Sequence, residues 1–588
     1  MRIPIIFSVI FFSLTVPSAH SSTPQPLISI VYGDSTIRSA EDKVFTKNRA
    51  IRFSRLLDSV GAESAVYADT ALDAALAPHH KVAHFVNVQT LPRAEFAKVE
   101  KFVANGGKII AHGSMDPALA NLFGLENPKS ANFHAPGFRF ADRPPLNSPA
   151  YIRNTVQTVY ETKPKAQSQA KVIAVWEGTD SAAVLRAPAG LWFTRVMTDD
   201  GERLAKAKLL VAVSGLCHGE VWGNAARRLR VEIPKGLGGR TVAEAARELR
   251  RNCPRAKRAA LDDLIAALEH SERVVELKFA AKELAGAMPH LWRMRELGHR
   301  AQAVGVDLKL QGKMVAVWIS SPSGVCGDGG WGPVAARLKA AGVNAVFASV
   351  PALDWKPPDG SAQMMEAMRA AGIGVHVWLH VCKSDPARRA ELAGQKRLLL
   401  DAKGAVMDWY NLEDKRNVAE IAKTVGDAAR RYKPEGIHID YIRYPTEYGL
   451  VARERKCAAV TALVREIRKA VGAPVMLSAA VFVNGEPNGV GQSWFEWMRD
   501  GLLDRAVPMN YTPSDAKLAE YCATQAKKVP ATKLICGIGV TSFESNLNPV
   551  ETARQTAVAL KAKFGGVAFY HCDASFVSEV TPALESAR

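Results

Sequence analysis

In the segment GIHIDYIRYP (436–445), strand alternation would put Ile437, Ile439 and Tyr441 on one face and His438 and Asp440 on the other. A carboxylate on an inward face above a histidine is costly unless a function or a partner compensates for lost solvation. Pairing of Asp440 with Arg443 or His438, simply to fix the loop, is the structural alternative. Hydrolysis of a glycosidic bond uses two carboxyl groups: one protonates the leaving oxygen and the other acts as nucleophile or base. Asp440 is expected as nucleophile or base, and Glu486, in the loop VNGEPNG, as its catalytic partner and proton donor. Glu447 and Asp573 are further candidates, each otherwise readable as an exposed loop acid. Asp504 precedes its strand and Glu496 falls in a helical stretch, so neither is expected at the site. Trp318, Trp378, Tyr444, Tyr511 and Tyr570 fall at strand ends, where ring faces can stack on sugar C–H surfaces. His380, Asn411, Arg443 and Asn510, with His438 and Asp573, complete the expected substrate-binding set, suited to hydroxyl, acetamido or carboxylate groups.

These residues need a scaffold that brings distant strand ends together. From Lys313 onward the chain repeats strand-then-helix units, with strands expected at Met314–Ser320, Ala345–Val350, Gly374–His380, Gly436–Tyr441, Val475–Val481, Ala506–Tyr511, Leu534–Val540 and Val567–His571. Eight such units over 313–575 predict an α/β fold of the TIM (β/α)8 barrel type, whose catalytic groups stand at the C-terminal strand ends. A doubly wound sheet is the alternative. The glycine-rich VCGDGGWG after the first strand is expected to be a loop at the same mouth; it lacks the GK[ST] ending of a phosphate-binding loop.

GIHIDYIRYP resembles the signature of glycosyl-hydrolase-like family 10, the group containing bacterial lipoproteins that cleave denuded peptidoglycan glycan. VAVWIS, GIGVHVWLHVCKS, WYNLEDKRNV and DGLLDRAVPMNY extend the likeness over Lys313–Asp573. The resemblance implies a glycoside hydrolase acting on a bacterial cell-wall or other polysaccharide. Many members carry two adjacent acids where this chain has Asp440 followed by Tyr441, which leaves Asp440 as the only signature acid. A noncatalytic carbohydrate-binding protein on a degenerate barrel is the alternative function.

Residues 27–230 alternate strand and helix patterns of an open α/β domain with a parallel sheet. FVANGGKIIAHGSMDPALANLFGL (102–125) resembles the class I glutamine-amidotransferase-like domain, which places a nucleophilic cysteine on a strand-to-helix elbow. No cysteine precedes Cys217, so that chemistry is expected to be absent, and Ser114 is expected to be a helix N-cap. Residues 240–305 read as a helical linker. Residues 1–22, with Arg2, an apolar run from Ile3 to Val16 and small residues after it, read as a signal peptide. The protein is therefore expected to be exported, periplasmic or extracellular, with no membrane span.

The 588 residues carry a formal charge of +18, which favours anionic polymers. No nucleic-acid recognition motif is present. The eight cysteines include no CxxC pair and no zinc-ligand spacing, so neither a metal nor another cofactor is expected.

Overall fold

The computed structural model describes residues 25–35, 40–197, 202–320, 325, 330–349, 361–446, 448–484 and 489–588. The expected signal peptide, Cys326, Glu447 and Glu486 lie outside them. Among the described residues no helix is long and apolar enough to cross a membrane.

The N-terminal domain is built on nine strands: β1 (Ile28–Tyr32), β2 (Ser64–Ala68), β3 (Val82–Val86), β4 (Lys108–His112), β5 (Lys129–Phe140), β6 (Tyr151–Glu161), β7 (Lys171–Trp176), β8 (Ala182–Ala187) and β9 (Gly190–Phe193). Their order is β2-β1-β3-β4-β9-β8-β7-β5-β6. The β2-β1-β3-β4-β9 half is parallel, as the sequence pattern suggests, whereas β9-β8-β7-β5-β6 is antiparallel. Short loops cause the change, because a tight hairpin such as Ala187 to Gly190 can only return the chain antiparallel. Gly190 has φ 142° and lies where any Cβ would run into the Ile109 carbonyl, so this junction requires glycine.

One sheet face packs on helix Arg93–Ala104 and its neighbours. The other shares a core with helix Ala40–Ser59 and with the helices between Arg203 and Val304. The helices expected over 240–305 thus do more than connect two halves; their apolar stripes complete the N-terminal core. A buried polar chain pins this layer to the sheet: Ser214 Oγ lies 2.8 Å from His84 Nε2, and His84 Nδ1 lies 3.1 Å from His112 Nε2. Burial depresses the pKa of both histidines, so the chain is neutral. Ser114 does not cap a helix. Its hydroxyl accepts from Asp116 N, and Asp116 caps Pro117–Leu122 by accepting from Leu119 N at 2.8 Å. The preceding elbow residue is Gly113, at φ 63°, which carries no side chain.

The C-terminal domain is the expected barrel. Its strands are β10 (Met314–Ile319), β11 (Ala345–Ser349), β12 (Gly374–His380), then, after a hairpin of β13 (Leu398–Leu400) and β14 (Val406–Tyr410), β15 (Gly436–Asp440), β16 (Met476–Val481), β17 (Arg505–Pro508), β18 (Ile535–Gly539) and β19 (Gly566–Tyr570). Eight parallel strands follow the order β17-β16-β15-β12-β11-β10-β19-β18. The bridges Ala506–Leu534 and Met509–Gly537 bring the two edges together and close the ring. Ile437 and Ile439 join the outer core against the helices. His438 points inward, stacked on Phe347 with centroids 3.9 Å apart and planes 7° from parallel. Trp318, Phe347, Trp378 and Val507 fill the rest of the interior, so it is a packed core and not a channel.

Phe347 is fully buried in that interior. Phe347→Ala is expected to lower stability by ~3–5 kcal/mol through lost transfer energy and the cavity left beneath His438. Urea unfolding of the purified protein measures this; a loss below ~1 kcal/mol would mean that the interior is not packed as described.

Candidate active site

Asp440 is the last residue of β15, the fourth barrel strand, and its carboxylate lies at the C-terminal mouth. Trp378 Nε1 donates to Oδ2 at 3.1 Å, and Tyr441 N donates to Oδ1 at 2.6 Å. The second bond depends on a local break in the strand. Tyr441 takes φ 51°, which turns the chain so that its N–H meets the preceding carboxylate. Tyr441 still packs against the helix-side core, as alternation predicts, and its ring also sits 4.8 Å from that of His380.

Burial raises the Asp440 pKa above the ordinary carboxylate value. The charges of His380 and Arg443 and the two N–H donors oppose that shift without cancelling it. His380 is exposed at the rim, and packing around its ring lowers its pKa while Asp440 pulls the other way. Trp378, at 5.0 Å and 73° from the His380 ring, links the pair edge to face. The Arg443 guanidinium stands 5.0–5.1 Å from the ring centroids of Trp409, Tyr441 and Phe482, and its Nη1 donates to Tyr444 O at 3.2 Å. Lys383 Nζ lies 5.3 Å from both the Trp409 and Tyr441 centroids. Cation and aromatic faces therefore form a wall beside Asp440.

Tyr511 and Tyr570 form another wall, stacked at 5.6 Å and 27°. The Asp440 charge reaches both phenols, and together with burial it raises their pKa values. Both phenols also feel Glu544, an exposed acid in the loop after β18. Ser542 Oγ donates to Glu544 Oε2 at 2.5 Å. The loop is held at its far end by a reciprocal cap: Glu551 N donates to Asn548 Oδ1, and Asn548 N to Glu551 Oε2.

Of the residues expected at the site, the fold brings together Asp440, Trp378, His380, Arg443, Tyr511 and Tyr570. Trp318 and His438 lie beneath them as the floor, both almost wholly buried. His438 Nδ1 meets Ser478 Oγ at 2.9 Å, Nε2 has no hydrogen-bond partner, and burial depresses its pKa, so the ring is a neutral support. Four residues fall elsewhere. Asn510 is buried in a reciprocal amide pair with Gln525, because its N–H bonds back to Pro508 O and turns the side chain out of the strand row. Tyr444, 1% exposed, packs in the outer core against Tyr448. Asn411 Oδ1 accepts from Glu413 N and closes its own turn. Asp573, 2% exposed, accepts from Phe576 N at 2.7 Å and faces Arg203 of the N-terminal domain at 3.5 Å. Among the described residues no group of three or more His, Cys, Asp or Glu side chains is placed to hold a metal ion.

Tyr441, Lys383, Trp409 and Glu544 were not anticipated. Glu544 had one legible signal, since it follows the seventh strand much as Glu486 follows the fifth. Lys383 and Trp409 meet only because the β13–β14 hairpin folds back, through a bridge between Lys383 and Trp409.

No family profile matches the chain, and no curated protein matches it in sequence. Among solved structures it is similar to the Bacillus cereus spore cortex-lytic enzyme SleL (11% identity, TM-score 0.34, covering 47% of this chain and 74% of that one). It is similar also to a GH18 chitinase from Pseudoalteromonas aurantia (15%, 0.33, 47% and 98%) and to a chitinase from Bacteroides thetaiotaomicron (11%, 0.32, 47% and 96%). Identities and TM-scores this low assign neither activity nor substrate.

The raised pKa of Asp440 has a consequence for stability. A carboxyl whose folded-state pKa exceeds its unfolded value of ~3.9 contributes stability that is present below that pH and is lost as pH rises through the folded value. Asp440→Asn carries no titrating group. Its melting temperature relative to wild type is therefore expected to improve as the pH rises above about 4. Thermal unfolding at a series of pH values checks this; a flat difference, or one moving the other way, would contradict the burial effect on Asp440.

Proposed function

We propose that the barrel hydrolyses glycosidic bonds of a glycan, with Asp440 as the carboxyl that transfers the proton. The observation that carries this reading is a carboxyl of raised pKa, fixed by the N–H groups of Trp378 and Tyr441 at a barrel mouth walled by aromatic rings. A carboxyl made harder to ionise is suited to protonate a leaving-group oxygen near neutral pH. This reverses the roles expected from sequence, in which Asp440 is nucleophile or base. The Trp378–His380 side and the Tyr511–Tyr570 side would flank the sugar ring. Tyr441, where relatives in the resembled family carry a second acid, would supply a further ring face.

The reaction needs a second carboxylate across the bond. Glu544 is supported by its electrostatic reach to the same two tyrosines that Asp440 reaches, from a loop three strands further round the barrel. Glu486 is the acid that the sequence pattern favours. A bacterial cell-wall or related polysaccharide is the proposed substrate. Export through the signal read at 1–22 would bring the barrel to it, and the N-terminal domain would serve as a noncatalytic module.

Asp440→Asn is expected to slow cleavage of a polymeric glycan by ~10²–10⁴-fold, the usual cost of losing an acid or base catalyst. If Asp440 is the acid, the variant loses much less on aryl glycosides with good leaving groups, which need little protonation. Glu544→Gln is expected to depress both substrates. An equal loss on both substrates in Asp440→Asn would return Asp440 to the nucleophile role, and near-wild-type turnover of a cleaved glycan would refute its catalytic assignment. If Glu486→Gln abolishes cleavage and Glu544→Gln does not, the partner is Glu486.

A further inference from the structure

Beside the mouth, the N-terminal domain meets the barrel around a cavity of about 360 Å³. Arg52 and Arg55, one turn apart on helix Ala40–Ser59, place their guanidinium carbons 5.3 and 5.5 Å from the ring centroid of Phe543. Phe543 belongs to the barrel loop that carries Glu544, and it is 40% exposed, unusual for so large an apolar ring. The two arginines are themselves exposed, and the Arg52 charge reaches Tyr570 of the aromatic wall. Helix Ala40–Ser59 thus extends the rim of the mouth with positive charge.

Deeper in the cavity the charges are largely matched. Asp58 and Glu232 each lie 2.7 Å from Arg228, and Arg203 bonds Asn546 at 2.8 Å and faces Asp573. Arg295 and Glu579 line the same space and attract one another. Among the described residues Arg55 has no acidic partner. The Arg55 guanidinium, held over the ring, can offer its N–H fork to a carboxylate or another oxyanion in two-point fashion.

We infer that Arg52, Arg55 and Phe543 form an anionic-group subsite of the glycan groove, so that the N-terminal domain selects polymers bearing carboxylate or other oxyanion substituents. The Phe543 ring offers a stacking face for a sugar, the Arg55 guanidinium meets its charged substituent, and the Arg52 charge beside it adds to the positive field. This rests on the reading of the barrel mouth as a glycan groove, and it adds the substrate class: an acidic, not a neutral, polysaccharide. The net charge of +18 acts in the same direction at long range, whereas the subsite acts at contact.

Binding is measured with the full chain by affinity electrophoresis in polygalacturonate, in its carboxyl-reduced neutral counterpart, and in dextran sulfate against dextran. Wild type is expected to bind the anionic polymers about tenfold or more tightly than the neutral ones, with the preference shrinking as salt rises. Arg52→Gln with Arg55→Gln is expected to remove most of that preference. Arg240→Gln with Arg251→Gln deletes the same charge from exposed positions that do not line the cavity, and it is expected to leave the preference nearly intact. Retention by polygalacturonate alone assigns a carboxylate, and retention by both anionic polymers a general oxyanion site. The preference is read from binding alone, with no turnover required, so failure of the catalytic reading and failure of this one are separable. Equal losses in the two double variants, or no preference for anionic polymers, would overturn the subsite.

Discussion

The arrangement of the mouth depends on one compromise, the partial removal of the Asp440 carboxylate from water with only partial repayment in hydrogen bonds. Two N–H donors, from Trp378 and Tyr441, hold both oxygens, yet burial still disfavours the charge. The donors themselves require a particular backbone. Tyr441 must enter the left-handed region for its N–H to turn back, and β12 must run beside β15 in the register that sets His380 opposite Asp440. Below, the stacked Phe347 and neutral His438 leave no room for the carboxylate to sink and no countercharge to ionise it. A carboxyl so placed keeps its proton more readily than one in water, and it does so where a substrate can reach it.

The two domains are joined by more than a connector. Leu204 N donates to Ser575 Oγ at 3.0 Å, Arg203 reaches Asn546 and Asp573, and Lys257 Nζ bonds Ala587 O at the end of the last helix. The contacts to Ser575, Asn546 and Asp573 fall on loops that follow β18 and β19, and those strand ends form one side of the mouth. Asp573 thereby exchanges a role in the groove for one in holding the N-terminal domain against it. The result is a rim assembled from both halves of the chain, aromatic on the barrel side and basic on the other.

Much of the barrel is legible in the sequence because strand alternation is a local rule. Ile437 and Ile439 outward with His438 and Asp440 inward follows from period two alone, and the packed helices enforce it. The rule ends with the strand. Asn510 lies just past a strand end, where a tight turn redirects the side chain, and periodicity carries no information about it. Tyr444 fails for the same reason; its N–H is tied to Val490 O and the ring is drawn into the outer core. The Arg52–Phe543 contact escapes for another reason. It brings together residues hundreds of positions apart through domain packing, which no window of local sequence encodes. In the N-terminal domain, alternating patterns identified strands but could not tell a parallel edge from the antiparallel extension that hairpin loops impose.

The central claim, a half-buried carboxyl at the mouth that ionises reluctantly, is most directly tested by titrating Asp440 itself. Protein labelled with 13C at the aspartate side-chain carboxyl, compared with Asp440→Asn to identify the lost resonance, gives the ionisation curve of that single group. A midpoint clearly above the ordinary aspartate value of ~3.9 is expected. A midpoint at or below that value would contradict the account, because the two N–H donors would then outweigh burial and leave Asp440 a permanent anion.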